Sequence, residues 1–244
     1  RGQRFEGFTP EGERILAWAR AVLAAHDGLA AEAAICRGQM VGQLRVGMVP
    51  LASLNPMQLI KPLAEKYPAL QFSLLSMTSE QIIDGVSRNQ LDLGICYLQH
   101  LDERLFKIAR LPQTRMGLLH DKRHFDFSAG TPGWDTLAAL PLGFLTKGMY
   151  YRESIEISFK AKGLTPTSVF ESDSTFQIIQ AVQAGICCAI MPLNNGLEAL
   201  SDNLEILPIA ETQVDSQLAL IMRQQEPVSS LAEKCFAEAQ GIFG

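Results

Sequence analysis

Shifted by 96 residues along itself, the 244-residue sequence brings Leu44-Arg-Val-Gly47 onto Leu140-Pro-Leu-Gly143, Lys66 onto Lys162 and Ser76 onto Ser172. In the same ungapped register Gln81-Ile82-Ile83 falls on Gln177-Ile178-Ile179, and Val86 on Val182. Identities are few, but the apolar positions agree along the whole stretch, as a duplicated supersecondary unit requires. Each copy reads strand, helix, strand, helix, strand, which implies parallel sheets with helices on their faces. Two such lobes facing each other hold a small ligand in the crevice at the carboxyl ends of their strands.

Both copies open in the same way. Leu44, Val46, Met48 and Val49 read as a buried strand, with Gly47 allowing another backbone to come close, and Pro50 ends it. Ser53 and Asn55 then precede the helical spacing of Met57–Lys66. A strand that runs through a polar loop into a helix leaves free N–H groups and a dipole that favour an anion or carboxylate.

The stretch before the first copy has a different pattern. Thr9-Pro10 is a strong helix start, and Ile15, Val22, Leu29 and Cys36 then recur every seven residues, with Trp18 near the complementary seam. This spacing predicts a helix from residue 9 to about 37 that packs along a partner; an amphipathic helix lying on its own domain is the alternative. Gly38 and Gly42 mark its end. After the first copy, strands are expected near 105–108 and 116–119 around a Pro112 turn, then a short helix at 134–140. The second copy ends in the buried run through Cys187-Cys188 to Pro192. A short helix at 195–200, strands near 204–208 and 217–223 and a last helix at 228–243 follow. These remaining elements predict a return to the first lobe, with two crossings that make a hinge.

Charge and composition exclude several classes. A net charge of −5 without a long basic stretch gives no grip on nucleic acid or acidic lipid by the chain itself. No apolar run reaches membrane-spanning length, and the first residue is Arg, so a longer natural protein is expected. Five cysteines, mostly in apolar segments, fit buried thiols better than a disulfide framework, and adjacent Cys187 and Cys188 on one strand are poorly placed to bond to each other. His120 and His124 flank Asp121-Lys-Arg in what reads as a solvated turn, so no metal site is expected. Asp84 and Asp92 have no partner carboxylate, and there is no nucleophile elbow, phosphate-binding glycine loop or zinc spacing. Neither catalysis nor a cofactor is expected.

The ordered set Phe8-Thr-Pro-Glu-Gly12, Leu44-Arg-Val-Gly47, Tyr67-Pro68, Leu91-Asp-Leu-Gly-Ile95 and Ala184-Gly185 through Pro192 resembles a LysR-type transcriptional regulator lacking most of its DNA-binding domain. The resemblance covers essentially the whole chain, although no single motif decides it. It implies an α/β fold of two Rossmann-like lobes of periplasmic-binding-protein type with two crossovers, preceded by a long linker helix. It also implies a cytoplasmic homodimer or tetramer, joined in part through Ile15, Trp18, Val22 and Leu29. The domains follow: residues 1–8 as the remnant of a wing, with Arg1 and Arg4 as DNA-contact remnants; 9–38 as linker and dimerisation helix; 43–98 with 204–244 as lobe one; 105–200 as lobe two. The family reads DNA with an upstream winged helix-turn-helix, so DNA is a partner only of the full-length protein. The redox-sensing branch uses a separated cysteine pair in its second lobe, and no matching pair is present here.

By the family's layout, a small effector is contacted from loops of both lobes. Here those loops are Pro50, Leu51, Ala52 and Ser53 with Thr78 and Ser79, and Thr146, Lys147 and Gly148 with Asp173, Ser174, Thr175 and Phe176. The repeat register independently lays Ser79 on Thr175 and Pro50 on Thr146. Hydroxyls beside helix N-termini satisfy a carboxylate or other small anion, Lys147 adds a positive charge, and Met77, Met149 and Phe176 offer an apolar wall. Taken singly, Ser79, Ser174 and Thr175 are also explained as caps of their own helices. Asp173 opposes an anion unless it is paired or turned outward. A solute-binding protein for transport shares the two-lobe architecture, and a small enzyme acting in the crevice is the third reading. The thiols and the heptad helix count against the transport protein, and the residue inventory counts against the enzyme.

Overall fold

The repeat reappears as two five-stranded sheets in a computed structural model, which describes residues 7–52, 54–98, 101–113, 115–127, 130–193, 196, 200–210 and 217–243. The chain runs α1 (Pro10–Cys36), β1 (Gly42–Met48), α2 (Met57–Lys66), β2 (Leu70–Ser76), α3 (Ser79–Ser87), β3 (Leu93–Tyr97) and β4 (Phe106–Arg110). It continues through β5 (Met116–Asp121), α4 (Trp134–Ala139), β6 (Pro141–Leu145), α5 (Tyr150–Ala161), β7 (Thr167–Ser172), α6 (Thr175–Gln183) and β8 (Cys188–Pro192). The last elements are β9 (Leu204–Pro208), β10 (Leu218–Arg223) and α7 (Ser230–Phe243). Adding 96 to the bounds of α3 returns those of α6 to the residue.

The first sheet has the order β2-β1-β3-β10-β4 and the second β7-β6-β8-β5-β9. In each, three parallel strands are extended by an antiparallel strand from elsewhere in the chain: β10 on β3, and β5 on β8. Two boundaries differ from the expected ones. Residues 106–110 belong to lobe one, because β4 pairs with β10, and 204–208 belong to lobe two, because β9 pairs with β5. The segment around Pro112, expected as a turn between two strands, is the first crossing between lobes. The two crossings are laced together: Leu111 N donates to Leu218 O at 2.9 Å, and the Gln217 amide donates to the carbonyls of Leu111 and Leu218.

Packing explains why the repeated glycine occurs at this point of both copies. A Cβ on Gly47 would stand 2.6 Å from Leu91 Cδ1, and one on Gly143 2.7 Å from Cys187 Sγ. The close neighbour is in each case a side chain rather than the backbone expected. Ile82 and Val86 of α3, like Val182 of α6, are wholly buried, each contributing about 1.5–3 kcal/mol by burial. Cys96, Cys187, Cys188 and Cys235 are buried free thiols, whereas Cys36 is exposed. Burial pushes the Cys187 and Cys188 thiols up to about 11 and 12, which leaves them protonated and unreactive.

The helix α1 starts where Thr9 Oγ1 accepts from Gly12 N at 3.1 Å. Its later turns dock on lobe one. Ala34 is buried, and Glu32 accepts from Ser230 Oγ at 2.8 Å and Ser230 N at 3.3 Å, which places a carboxylate at the N-terminus of α7. Ile15, Trp18, Val22 and Leu29 face away from the chain, between 66% and 76% exposed. Arg1 and Arg4 lie outside the described residues, as does most of the short helix expected at 195–200.

Two polar residues are buried beyond expectation. Asp92 has a partner in Arg45: its carboxylate accepts from Arg45 N at 2.7 Å, Nε at 3.0 Å and Nη2 at 2.9 Å. His120 is on the buried strand β5 rather than in a solvated turn, with Nδ1 unpartnered and Nε2 3.6 Å from Glu205. Among the described residues no cluster fits a metal ion.

Asp92→Ala strands a half-buried guanidinium and a backbone N–H, and it should cost about 2–3 kcal/mol in urea unfolding. Burial holds the His120 imidazolium below its ordinary value of 6.5. The unfolded chain therefore binds a proton that the folded chain refuses, and stability should fall as pH drops below 6.5. His120→Gln should flatten that part of the stability–pH curve.

Candidate effector site

The carboxyl ends of the three parallel strands of the first sheet and of β6 in the second meet at one small cavity. Val49 and Pro50 follow β1, Thr78 and Ser79 follow β2, and Tyr97 ends β3; Leu145 ends β6, and Gly148, Met149, Tyr150, Tyr151 and Glu153 lead into α5. Glu80 completes the lining. The cavity measures about 80 Å³, roughly the liquid volume of two or three waters. A second, apolar recess of about 290 Å³ adjoins it through Val49 and Pro50, and is lined also by Leu51, Ala52, Leu54, Leu74, Leu75 and Thr175.

The expected contact residues are divided between these spaces. Pro50, Thr78, Ser79 and Gly148 meet in the small cavity, and Pro50, Leu51, Ala52 and Thr175 in the apolar recess. Ser53 lies outside the described residues. Thr146, Lys147, Asp173, Ser174 and Phe176 line neither space. Thr146 N donates to Ser172 O at 3.1 Å, continuing the strand pairing. Lys147 and Asp173 are exposed, and Phe176, expected in an apolar wall, is 64% exposed. Of that wall Met149 lines the cavity, while Met77 packs on the core of lobe one.

Two hydroxyls serve their own helices: Thr78 forms a full capping box with Gln81, and Ser174 Oγ accepts from Gln177 N at 3.4 Å. Ser79 and Thr175, expected as caps, are each the first helical residue after the cap, and Ser79 Oγ accepts instead from Tyr97 N on β3 at 3.3 Å. Capping and binding are compatible, since an accepting hydroxyl keeps its own proton to donate. α5 is different. Its N-cap, Met149, supplies no side-chain hydrogen bond, and the preceding Gly148 has φ +87°, a turn that suits glycine.

Three tyrosines were missed by sequence reasoning. The rings of Tyr97 from lobe one and Tyr150 from lobe two meet with centroids 4.2 Å apart, so they bridge the crevice. Tyr151 is 8% exposed and its hydroxyl is buried without a hydrogen-bond partner. Burial raises the pKa of Tyr97 and Tyr151, keeping both phenols neutral. Burial, with Glu80 nearby, likewise pushes the Cys96 thiol up to about 12. Among the described residues no lysine or arginine lines either space. The arrangement offers hydrogen bonds, aromatic faces and two carboxylates to a small molecule.

Two α/β lobes with a crevice between them are the class of fold that these elements define. Residues 37–242 match the family model of the LysR substrate binding domain, and the chain belongs to that family. It is 24% identical over 226 residues to the HTH-type transcriptional regulator EstR of Acinetobacter baylyi, spanning 91% of this chain and 74% of that protein. Its fold matches the crystal structure of CbnR, a LysR family transcriptional regulator, with a TM-score of 0.74 at 19% identity over 97% of this chain and 82% of that one. It also matches the effector binding domain of QuiR in complex with shikimate, with a TM-score of 0.67 at 16% identity over 83% and 97%.

Tyr151→Phe removes an orphaned buried hydroxyl. Urea unfolding should show stability unchanged or raised by up to about 1 kcal/mol, where a hydroxyl bonded within the core would give a loss of similar size.

Proposed function

We propose that this chain is the ligand-sensing and dimerising part of a bacterial LysR-type regulator, and that a small carboxylate-bearing effector binds between its lobes. The observation that carries this reading is the convergence of strand ends from both sheets on one cavity. A ligand there touches both lobes, so its affinity differs between their arrangements and shifts the balance of the two. The uncapped start of α5 supplies N–H donors for the carboxylate. The relative QuiR, whose structure holds shikimate, supports a small-molecule effector.

The change in the lobes would be relayed through α1 and the oligomer to an upstream winged helix-turn-helix in the full-length protein. The exposed row Ile15, Trp18, Val22 and Leu29 supports pairing with a second copy through α1. A cytoplasmic location follows from that role, and no described helix is long and apolar enough to cross a membrane. The phenols of Tyr97 and Tyr151 at the crevice stay protonated, so neither is a ready nucleophile.

A library of small metabolites, scanned by thermal shift, should yield a ligand that stabilises the protein by about 2.7 kcal/mol at 100 times its dissociation constant. Met149→Trp fills the cavity from lobe two and should abolish that shift. A shift that survives in Met149→Trp places the ligand outside the crevice and ends this reading.

A further inference from the structure

The loops that follow β1 and β6 correspond in the repeat, and each sends one apolar side chain across the crevice. Val49, Ala52 and Leu54 are buried in the core of lobe one. Leu51, between them, packs instead on both buried clusters of lobe two, the one with Phe144 and Tyr151 and the one with Leu145 and Met191. Tyr150 does the converse. It follows β6 in lobe two, packs on the core of lobe one, and its ring meets that of Tyr97 with centroids 4.2 Å apart.

The backbone at Leu51 is strained. Its φ of +54° lies in the left-handed region, and among the described residues other than glycine only Asn89 shares it. Asparagine tolerates that region, whereas a bulky apolar residue rarely adopts it. The corresponding turn of the second copy puts its left-handed residue one position further on, at Gly148, with φ +87°. Glycine makes such a turn without strain. A leucine persists there only where its surroundings hold it, and the apolar surroundings of Leu51 belong to the other lobe.

We infer that Leu51 and Tyr150 form a reciprocal clasp between the lobes, with Leu51 as its strained, releasing half. With the lobes together, contact of the Leu51 side chain with lobe two opposes the strain in its backbone. When the lobes part, the contact is lost and the strain relaxes. Two opposed contributions of this kind leave a balance that a modest perturbation shifts. Leu51 also lines the apolar recess of the crevice. On the effector reading above, on which this step rests, a ligand entering that recess reaches the clasp directly and converts binding into movement of the lobes.

Single-molecule energy transfer on the full chain tests the clasp. Dyes are carried on Lys61→Cys of α2 and Lys160→Cys of α5, both exposed positions, with Cys36→Ser removing the exposed thiol. Unlabelled chain in excess leaves one labelled copy in each oligomer. Leu51→Ala keeps the strain and removes the contact, so it should raise the ratio of parted to closed molecules about fivefold or more. Leu51→Gly removes contact and strain together and should raise the ratio less than alanine does. Tyr150→Ala should raise it as well. Val46→Ala, which thins the core of lobe one on β1, should leave it unchanged. A ratio unchanged in Leu51→Ala or Tyr150→Ala overturns the clasp, as does an equal rise in Val46→Ala. Glycine parting the lobes as far as alanine overturns the strained half. No effector is used, so loss of the clasp leaves the crevice to be judged by the metabolite library and its Met149→Trp control.

Discussion

The first sheet is completed by a strand that returns only after the whole of the other lobe, and the rest of the molecule depends on that pairing. β10 lies between β3 and β4, so lobe one closes its sheet only when the chain returns, whereas every strand of lobe two, from β5 to β9, comes from one continuous stretch. The pairings are long in sequence: Tyr97 opposes Leu218, and Leu119 opposes both Ala189 and Ile206. Such contacts are entropically expensive to form and bind the two lobes into a shared folding problem. They also place the crossings beside the crevice. Tyr97, which bridges the crevice with its ring, is paired through its backbone to the first residue of β10, directly after Gln217 and the second crossing. A displacement of that ring therefore acts one residue away from the segments about which the lobes can turn.

The parts of this architecture visible in the sequence were those governed by periodic burial. The 96-residue register relates α3 to α6 to the residue, because Ile82, Val86, Ile178 and Val182 are core positions that tolerate little change. Long-range pairing left no such trace. Strands at 106–110 and 116–121 are close enough to read as a hairpin, and only the partners β10 and β9 reveal that they belong to different sheets. His120 was misjudged because Asp121-Lys-Arg resembles a turn, yet the strand continues through Asp121, whose carboxylate Arg123 then satisfies at 2.7 Å.

The site was legible in outline only. Hydroxyls before helices were read as ligand contacts, but hydroxyls at N-caps are used first by their own backbone, as Thr78 and Ser174 are. The tyrosines left a fainter signal: a Tyr at the end of a buried strand, and a Tyr pair directly after Gly148-Met149 where a helix begins. Phenols at the carboxyl ends of strands bring both apolar surface and a polar tip to the place where such folds bind ligands. Periodicity cannot separate that arrangement from ordinary core.

The two recesses of the crevice stand in the relation that the repeat imposes. Moving by 96 residues carries Tyr150 to Leu54, Tyr151 to Asn55, Glu153 to Met57, Glu80 to Phe176 and Tyr97 to Leu193. Leu54 belongs to the apolar recess, as do Val49, Ala52 and Thr175, the counterparts of Leu145, Gly148 and Ser79 in the polar cavity. The repeat provides two corresponding corners, one furnished with phenols and carboxylates and the other mainly with aliphatic side chains. A molecule lying across the crevice thus meets a head end and a tail end, and of its two possible directions the protein favours one.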